Sequence, residues 1–288
     1  MGERHDPPFG VWLVDKPAGP TSHDVVAAIR RGLPKGTRVG HAGTLDPFAT
    51  GLLVVLVGRA TRLVPYLTGL DKTYVTRVRL GATSATGDPE GPIEATGRET
   101  PDMQALSAAV AALPGRRRQR VPALSAVRVD GERLYKRARR GETTDLPERE
   151  IVVESARCLG ADLAHGNFDL EVRVSKGTYI RRLVSDLGDD LGCGSYCETL
   201  RRTTVGALRV EDAVPPAGVT ARGGVDPVIA LSGLERRDLN PAEAHDARHG
   251  RTVPGAASGP VALVADGCLI GVGHPREDGT LRPKVVLA

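Results

Sequence analysis

A chain of 288 residues with 40% apolar and 26% charged residues has the composition of a globular protein with room for one large core and a small appended unit. No apolar run approaches the roughly 20 residues needed to cross a bilayer, which excludes a helical membrane protein. The four cysteines (Cys158, Cys193, Cys197, Cys268) form no Cys-x-x-Cys pair and argue for a reduced cytoplasm rather than a disulfide framework.

The net charge of +4 is small, but it is unevenly spread. Between residues 116 and 140 stand nine arginines and Lys136, against Asp130 and Glu132. A phosphate backbone attracts such a concentration, and arginine's planar fork suits bidentate phosphate contact. The first eight residues carry charges and prolines without an apolar stretch, so a tail is expected there rather than a secretory signal.

In chain order, Val11 to Val14 predicts a short strand entering the turn Asp15-Lys16-Pro17. Thr21-Ser22-His23-Asp24 is a helix start with capping residues, followed by Val25, Val26 and Ile29 as an apolar stripe. Residues 40 to 51, Gly-His-Ala-Gly-Thr-Leu-Asp-Pro-Phe-Ala-Thr-Gly, fit neither helix nor strand. Glycines there permit angles other residues resist, and Pro47 removes a backbone donor just after Asp46. Leu52 to Val57 is an unbroken apolar run closed by Gly58, the pattern of a strand buried on both faces. Asp46 is therefore expected on a shaped loop feeding a core strand. Asp-Pro and glycine are also ordinary turn vocabulary, so these residues alone leave a plain turn and a reactive carboxylate equally open.

Thr61 to Leu67 reads as a short helix, and Asp71 to Leu80 alternates, with Tyr74, Thr76, Val78 and Leu80 on one face and Arg77 and Arg79 on the other. Thr100-Pro101 opens a helix carrying Leu106, Val110 and Leu113, and Pro114-Gly115 stops it. The arginine-rich segment is broken by Pro122, Gly131 and Gly141 and poor in apolar residues, so it is expected to protrude as a loop or hairpin. Strands follow at Ile151 to Leu159 and around Phe168 to Val174. A helix then begins near Tyr179, with Ile180, Leu183, Val184, Leu187 and Leu191 inward, and on this pattern Arg181 is an ordinary surface arginine. Leu200-Arg201-Arg202 leads into the last strand.

Residues 214–227, rich in proline, glycine and alanine, are expected to be a linker. Beyond them, apolar runs separated by Asp266-Gly267 and Asp278-Gly279 predict a small β-rich unit. Helices and strands without strict alternation predict an α+β fold with a mixed sheet. His245-x-x-x-His249 and Cys193-x-x-x-Cys197 have ligand spacing but lack an accompanying acid or second cysteine pair, so no metal is expected.

The stretch from 40 to 51 resembles the catalytic signature of TruB-type bacterial tRNA pseudouridine synthases. The resemblance continues, in the family's order, through Val-Asp-Lys-Pro-Ala-Gly-Pro-Thr-Ser (14–22), Asp-Lys-Thr-Tyr (71–74), Pro-Ala-Leu-Ser-Ala-Val-Arg (122–128), Ser-Lys-Gly-Thr-Tyr-Ile-Arg (175–181) and Leu-Arg-Arg (200–202). It implies a pseudouridine synthase catalytic domain over 1–213 with a basic RNA-binding insertion at 116–149. The 214–227 linker and a small PUA-like, β-rich RNA-binding domain over 228–288 would follow.

The implied activity is conversion of uridine 55 in the tRNA T loop to pseudouridine, by flipping the base and attacking with an aspartate. By the same resemblance Asp46 is the nucleophile, Arg181 its partner and Tyr74 the ring that stacks on the target base. Tyr179 and Leu200 line the pocket, His41 wedges into the T loop and Lys16 lies near the site. The RNA-binding set is Arg116, Arg117, Arg118, Arg120, Arg128, Arg133, Lys136, Arg137, Arg139 and Arg140. Leu124 stands where the family often has an aromatic residue. No cofactor, membrane or obligate protein partner is implied, and a cytoplasmic monomer is expected. A non-catalytic binder of structured RNA, or a tRNA chaperone, is the alternative, although a pure binder has no use for an ionised acid in a phosphate-binding cleft.

Overall fold

The computed structural model describes residues 8–122, 128–129, 131–133, 137, 140, 142 and 146–287. Lys136 and Arg139, together with the side chains of Arg128 and Arg133, lie outside the described residues. The chain forms two compact units, one of residues 1–47, 51–70 and 204–288, the other of residues 48–50 and 71–203.

In the first unit, β1 (Phe9–Lys16) pairs antiparallel with β3 (Thr50–Gly58), from Phe9 opposite Gly58 to Lys16 opposite Gly51. Between them in sequence lie α1 (Ser22–Arg31) and β2 (Val39–Ala42), the latter paired with β3. A capping box starts α1: the Thr21 hydroxyl accepts the Asp24 N–H while the Asp24 carboxylate accepts the Thr21 N–H. Val25, Val26 and Ile29 are buried as the stripe predicts. Leu52 to Val57 are wholly without exposure, which is why that stretch carries no polar alternation. The expected helix near Thr61 is a 3-10 turn, Arg59–Leu63, followed by α2 (Val64–Thr68).

The second unit is built on β4 (Lys72–Leu80), α3 (Met103–Ala111), β5 (Gly115–Arg120), β6 (Glu148–Asp162), β7 (Asn167–Val174), α4 (Ile180–Asp190) and β8 (Ser195–Val205). Its strands run in the order β8, β4, β7, β6, β5. On β7, Phe168, Leu170, Val172 and Val174 are buried, and on β4 so are Tyr74, Thr76, Val78 and Leu80.

The arginine-rich stretch corrects the expectation of a loop beginning at Arg116. Residues 115–120 are strand β5, paired antiparallel with β6 from Gly115 opposite Val153 to Arg120 opposite Glu148. Charges on both faces hid the strand, because an edge strand paired through its backbone needs no apolar alternation. Glutamates on β6 receive the arginines diagonally, Arg116 to Glu150 at 2.6 Å and Arg118 to Glu148 at 3.1 Å. Arg117 instead donates to the Leu113 and Ala112 carbonyls beyond α3, where a helix end favours a cation. Further on, Arg128–Val129 and Glu132–Arg133 do form a short antiparallel hairpin.

The chain then returns to the first unit. Arg222–Gly224 forms β9, parallel to β1, and is followed by β10 (Glu235–Asp238), α5 (Pro241–Arg248), β11 (Val253–Pro254), β12 (Val261–Ala265), β13 (Cys268–Pro275) and β14 (Thr280–Val286). The last five strands form a sheet in the order β10, β12, β13, β14, β11. Val272, Val285 and Leu287 join the core that contains Val11, Leu13, Leu52 and Val54. Tyr66 and His274 fasten this arrangement, with Oη and Nε2 at 3.0 Å, as does Arg62 donating to the Val286 carbonyl at 2.6 Å.

Two buried cations stand in the second unit's sheet, Lys72 on β4 and Arg202 on β8. Burial, reinforced by the charge of Arg202, lowers the Lys72 ammonium from 10.5 to about 8. The folded state therefore binds fewer protons than the unfolded chain between about pH 8 and 10.5, and the Lys72 contribution to stability rises with pH across that window. Wild type should gain thermal stability relative to Lys72→Met over that range, with a constant difference below pH 8, as read by melting curves of the two proteins.

Candidate active site

Asp46 lies half-buried on the loop joining β2 to β3. Gly43 and Gly51, on either side, have φ of 96° and 99°, in the left-handed region that favours glycine. The loop is held by side chains from elsewhere. Ser22, at the start of α1, accepts the Leu45 N–H at 2.8 Å and donates to the Leu45 carbonyl at 3.0 Å. Lys16, at the end of β1 and wholly buried, donates from Nζ to the carbonyls of Pro47 at 3.1 Å and Pro17 at 2.9 Å. The Pro47 carbonyl also receives the Gly19 N–H at 2.9 Å. The residues immediately before and after Asp46 are thus both pinned. His41 lies on β2 opposite Val55, half-buried, at the entrance to the same loop.

In the second unit Arg181 is not the surface residue that its helical position alone suggests. Its side chain is 5% exposed, and it forms an ion pair at 3.0 Å with Asp88, whose side chain is 2% exposed. Arg181 Nη1 also donates to the Thr86 carbonyl at 2.7 Å. The turn around Gly87 folds onto the first turn of α4 so closely that a Cβ at Gly87 would lie 3.2 Å from Arg181 Cβ. Asp88 is oriented in turn by the Thr86 hydroxyl at 2.5 Å and the Glu90 N–H at 3.0 Å. Sequence reasoning passed over Asp88. The signal available was Gly87-Asp88-Pro89, a second acid set between a glycine and a proline.

Tyr74 is 8% exposed on β4, opposite Val172 of β7, and Leu200 is buried on β8. Tyr179 is the N-cap residue of α4. Its backbone is gripped on both sides by buried Gln119 of β5, which accepts the Tyr179 N–H at 2.8 Å and donates to the Tyr179 carbonyl at 3.0 Å. The Arg149 guanidinium lies 5.3 Å from the centre of the Tyr179 ring, a cation–π distance. Gln119 is a second residue that the sequence did not single out, hidden among arginines. A cavity of about 240 Å³ beside α4 is lined by Thr86, Arg120, Arg181, Arg182 and Ser185, with Arg182 paired to Asp186 as Arg181 is to Asp88.

The basic residues are distributed rather than pooled. Arg116 and Arg118 pair with β6 glutamates, Arg120 is exposed, Arg137 and Arg140 both reach Glu142, and Arg140 also pairs with Glu132 at 2.7 Å. The His245 and His249 rings lie 4.4 Å apart, and among the described residues no three His, Cys, Asp or Glu side chains gather as a metal site.

Residues 30–180 match the family model for the N-terminal domain of TruB family pseudouridylate synthases, and residues 238–287 match that for the C-terminal domain of pseudouridine synthase II TruB. The chain is 45% identical to the tRNA pseudouridine synthase B of Parasynechococcus marenigrum (strain WH8102), covering 98% of each chain. It is likewise 45% identical to that of Thermobifida fusca (strain YX), covering 97% of this chain and 98% of the relative. Among solved structures, a chain of an H/ACA RNP bound to a substrate RNA containing 2'-deoxyuridine shares the fold, with a TM-score of 0.73 at 22% identity over 97% of this chain and 85% of that one. The architecture is the pseudouridine synthase α+β fold, a mixed sheet with a C-terminal β-rich part. With its loop carboxylate, buried arginine and full-length relatives, this chain belongs to the TruB family of pseudouridylate synthases.

Proposed function

We propose that the protein isomerises uridine to pseudouridine at position 55 in the T loop of tRNA, with Asp46 as nucleophile on a base flipped out of the loop. The observation that carries this reading is the Asp46 carboxylate on a loop pinned at both neighbouring residues, in a chain 45% identical over its length to tRNA pseudouridine synthase B. An ionised carboxylate can form a covalent intermediate that divides one difficult step into two. The nucleoside's N-glycosidic bond breaks, the uracil turns, and a bond from carbon 5 to the sugar replaces it. The proton on carbon 5 passes to water, N1 takes up a proton, and Asp46 is released unchanged.

Arg181 is the partner that orients the aspartate, and Asp88 holds Arg181 in its place. Extruding a stacked base costs a few kcal/mol, and stacking on Tyr74 returns about 1–3 kcal/mol of it. Tyr179 and Leu200 line the pocket, His41 fills the space left by the base, and Lys16 supports the loop. The arginines of 116–140 contact phosphates of the T arm. The enzyme acts as a cytoplasmic monomer, without cofactor or obligate protein partner. Cysteines without a Cys-x-x-Cys pair support that compartment, and among the described residues no helix is long and apolar enough to cross a membrane.

A T-arm hairpin carrying tritium on carbon 5 of the target uridine tests the reaction, since conversion releases the label to water. Wild type should release it and Asp46→Asn should not, while hairpin affinity stays within about threefold. Absence of release by wild type would leave the alternative of a non-catalytic RNA binder or tRNA chaperone, and turnover by Asp46→Asn would remove the aspartate from its role. Asp88→Asn should lower kcat about 10²-fold and reduce stability by about 3 kcal/mol, because it removes one partner of a buried ion pair; a wild-type kcat would mean that Arg181 is positioned without it. Replacing Arg116 and Arg118 together by alanine should weaken hairpin binding and reduce the salt slope by about 2. An unchanged slope would assign these arginines to Glu150 and Glu148 alone.

A further inference from the structure

We infer that Ser22 is a positioning residue for the Asp46 nucleophile, its hydroxyl setting the direction in which the loop presents that carboxylate. The inference rests on the proposed role of Asp46 and names a residue to which neither the family resemblance nor the comparisons give a part in the reaction.

Ser22 is 1% exposed, so its hydroxyl is sealed from water. One hydroxyl satisfies both polar backbone groups of one residue 23 positions away: its lone pair takes the Leu45 N–H and its proton goes to the Leu45 carbonyl. The Leu45 side chain is itself buried, at 3% exposure. Leu45 is thereby fixed through its side chain, its donor and its acceptor, and the next peptide bond leads directly to Asp46. On the far side the Pro47 carbonyl is fixed by Lys16 and Gly19. With both neighbours immobile, Asp46 retains little more than its own side-chain torsions.

The hydroxyl is not occupied in holding its own helix. Thr21 and Asp24 cap α1, and the Ser22 side chain points away from that exchange toward the loop. The helix is anchored through its buried stripe of Val25, Val26 and Ile29, and Ser22 passes that order to a segment with no regular structure of its own. Displacing a reacting group by about 1 Å can cost about 10²-fold in rate.

Ser22→Ala should lower kcat for tritium release between tenfold and a hundredfold, with KM and hairpin affinity within twofold of wild type. Thr21→Ala is the control, since it removes the cap of the same helix and lowers the melting temperature while leaving the Leu45 clamp intact. Its kcat should stay within twofold. Ser22→Cys fills the site with a weaker donor and should fall between Ser22→Ala and wild type, and it is the variant to read if Ser22→Ala does not fold. A kcat loss in the Ser22 variants no larger than that in Thr21→Ala, or a loss expressed in KM alone, would overturn the inference. Turnover by Asp46→Asn would overturn the nucleophile reading itself, whereas an inactive Asp46→Asn beside a fully active Ser22→Ala would sink only the role given to Ser22.

Discussion

A loop has no hydrogen-bond ladder of its own, so the place of Asp46 depends on groups sent to it from elements that are rigid for other reasons. Those elements are the capped start of α1 and the end of β1, which contribute Ser22 and Lys16 to the peptide groups on either side of the aspartate. Behind the loop runs β3, with Leu52 to Val57 sealed from solvent. Buried backbone polar groups must find partners, and here the partners they find also orient the carboxylate. On the proposed reaction only Asp46 of the loop is reactive, and the other residues serve its geometry.

The second unit meets the same requirement with a charged group. Burying Arg181 is costly unless it is paired and hydrogen-bonded, and Asp88 with the Thr86 carbonyl supplies both. The result is a guanidinium fixed in place. Gln119 treats Tyr179 as Ser22 treats Leu45, one side chain gripping both backbone groups of one residue, Tyr179 at the start of a helix and Leu45 on the loop. Since Gln119 stands on β5, the arginines of that strand and the Tyr179 backbone share an anchor.

The arginines show how weak surface pairing leaves a basic segment available. Arg116 and Arg118 meet β6 glutamates at side-chain exposures near 80%, where an ion pair contributes about 0–1 kcal/mol. Exchange of a glutamate for a phosphate therefore costs little, and the strand still gains order from its backbone pairing with β6.

Local pattern was enough for much of the fold. The stripe of α1, the unbroken run of β3, the alternation of β4 and β7 and the Asp-Gly turns of the C-terminal hairpins are all short-range periodicities, and the structure follows them. The motifs around Asp46, Tyr74 and Arg181 likewise stood in the sequence in the order of one family. Tertiary structure alone decided that Arg181 is buried, that Asp88 holds it, that Arg116 to Arg118 belong to a strand and that Ser22 and Gln119 are clamps. Each of these rests on a hydrogen bond, ion pair or strand pairing between residues 23 to 95 positions apart, as with Ser22 and Leu45 or Arg181 and Thr86. A polar side chain carries no mark of the distant peptide group it will satisfy until the chain has folded and brought the two together.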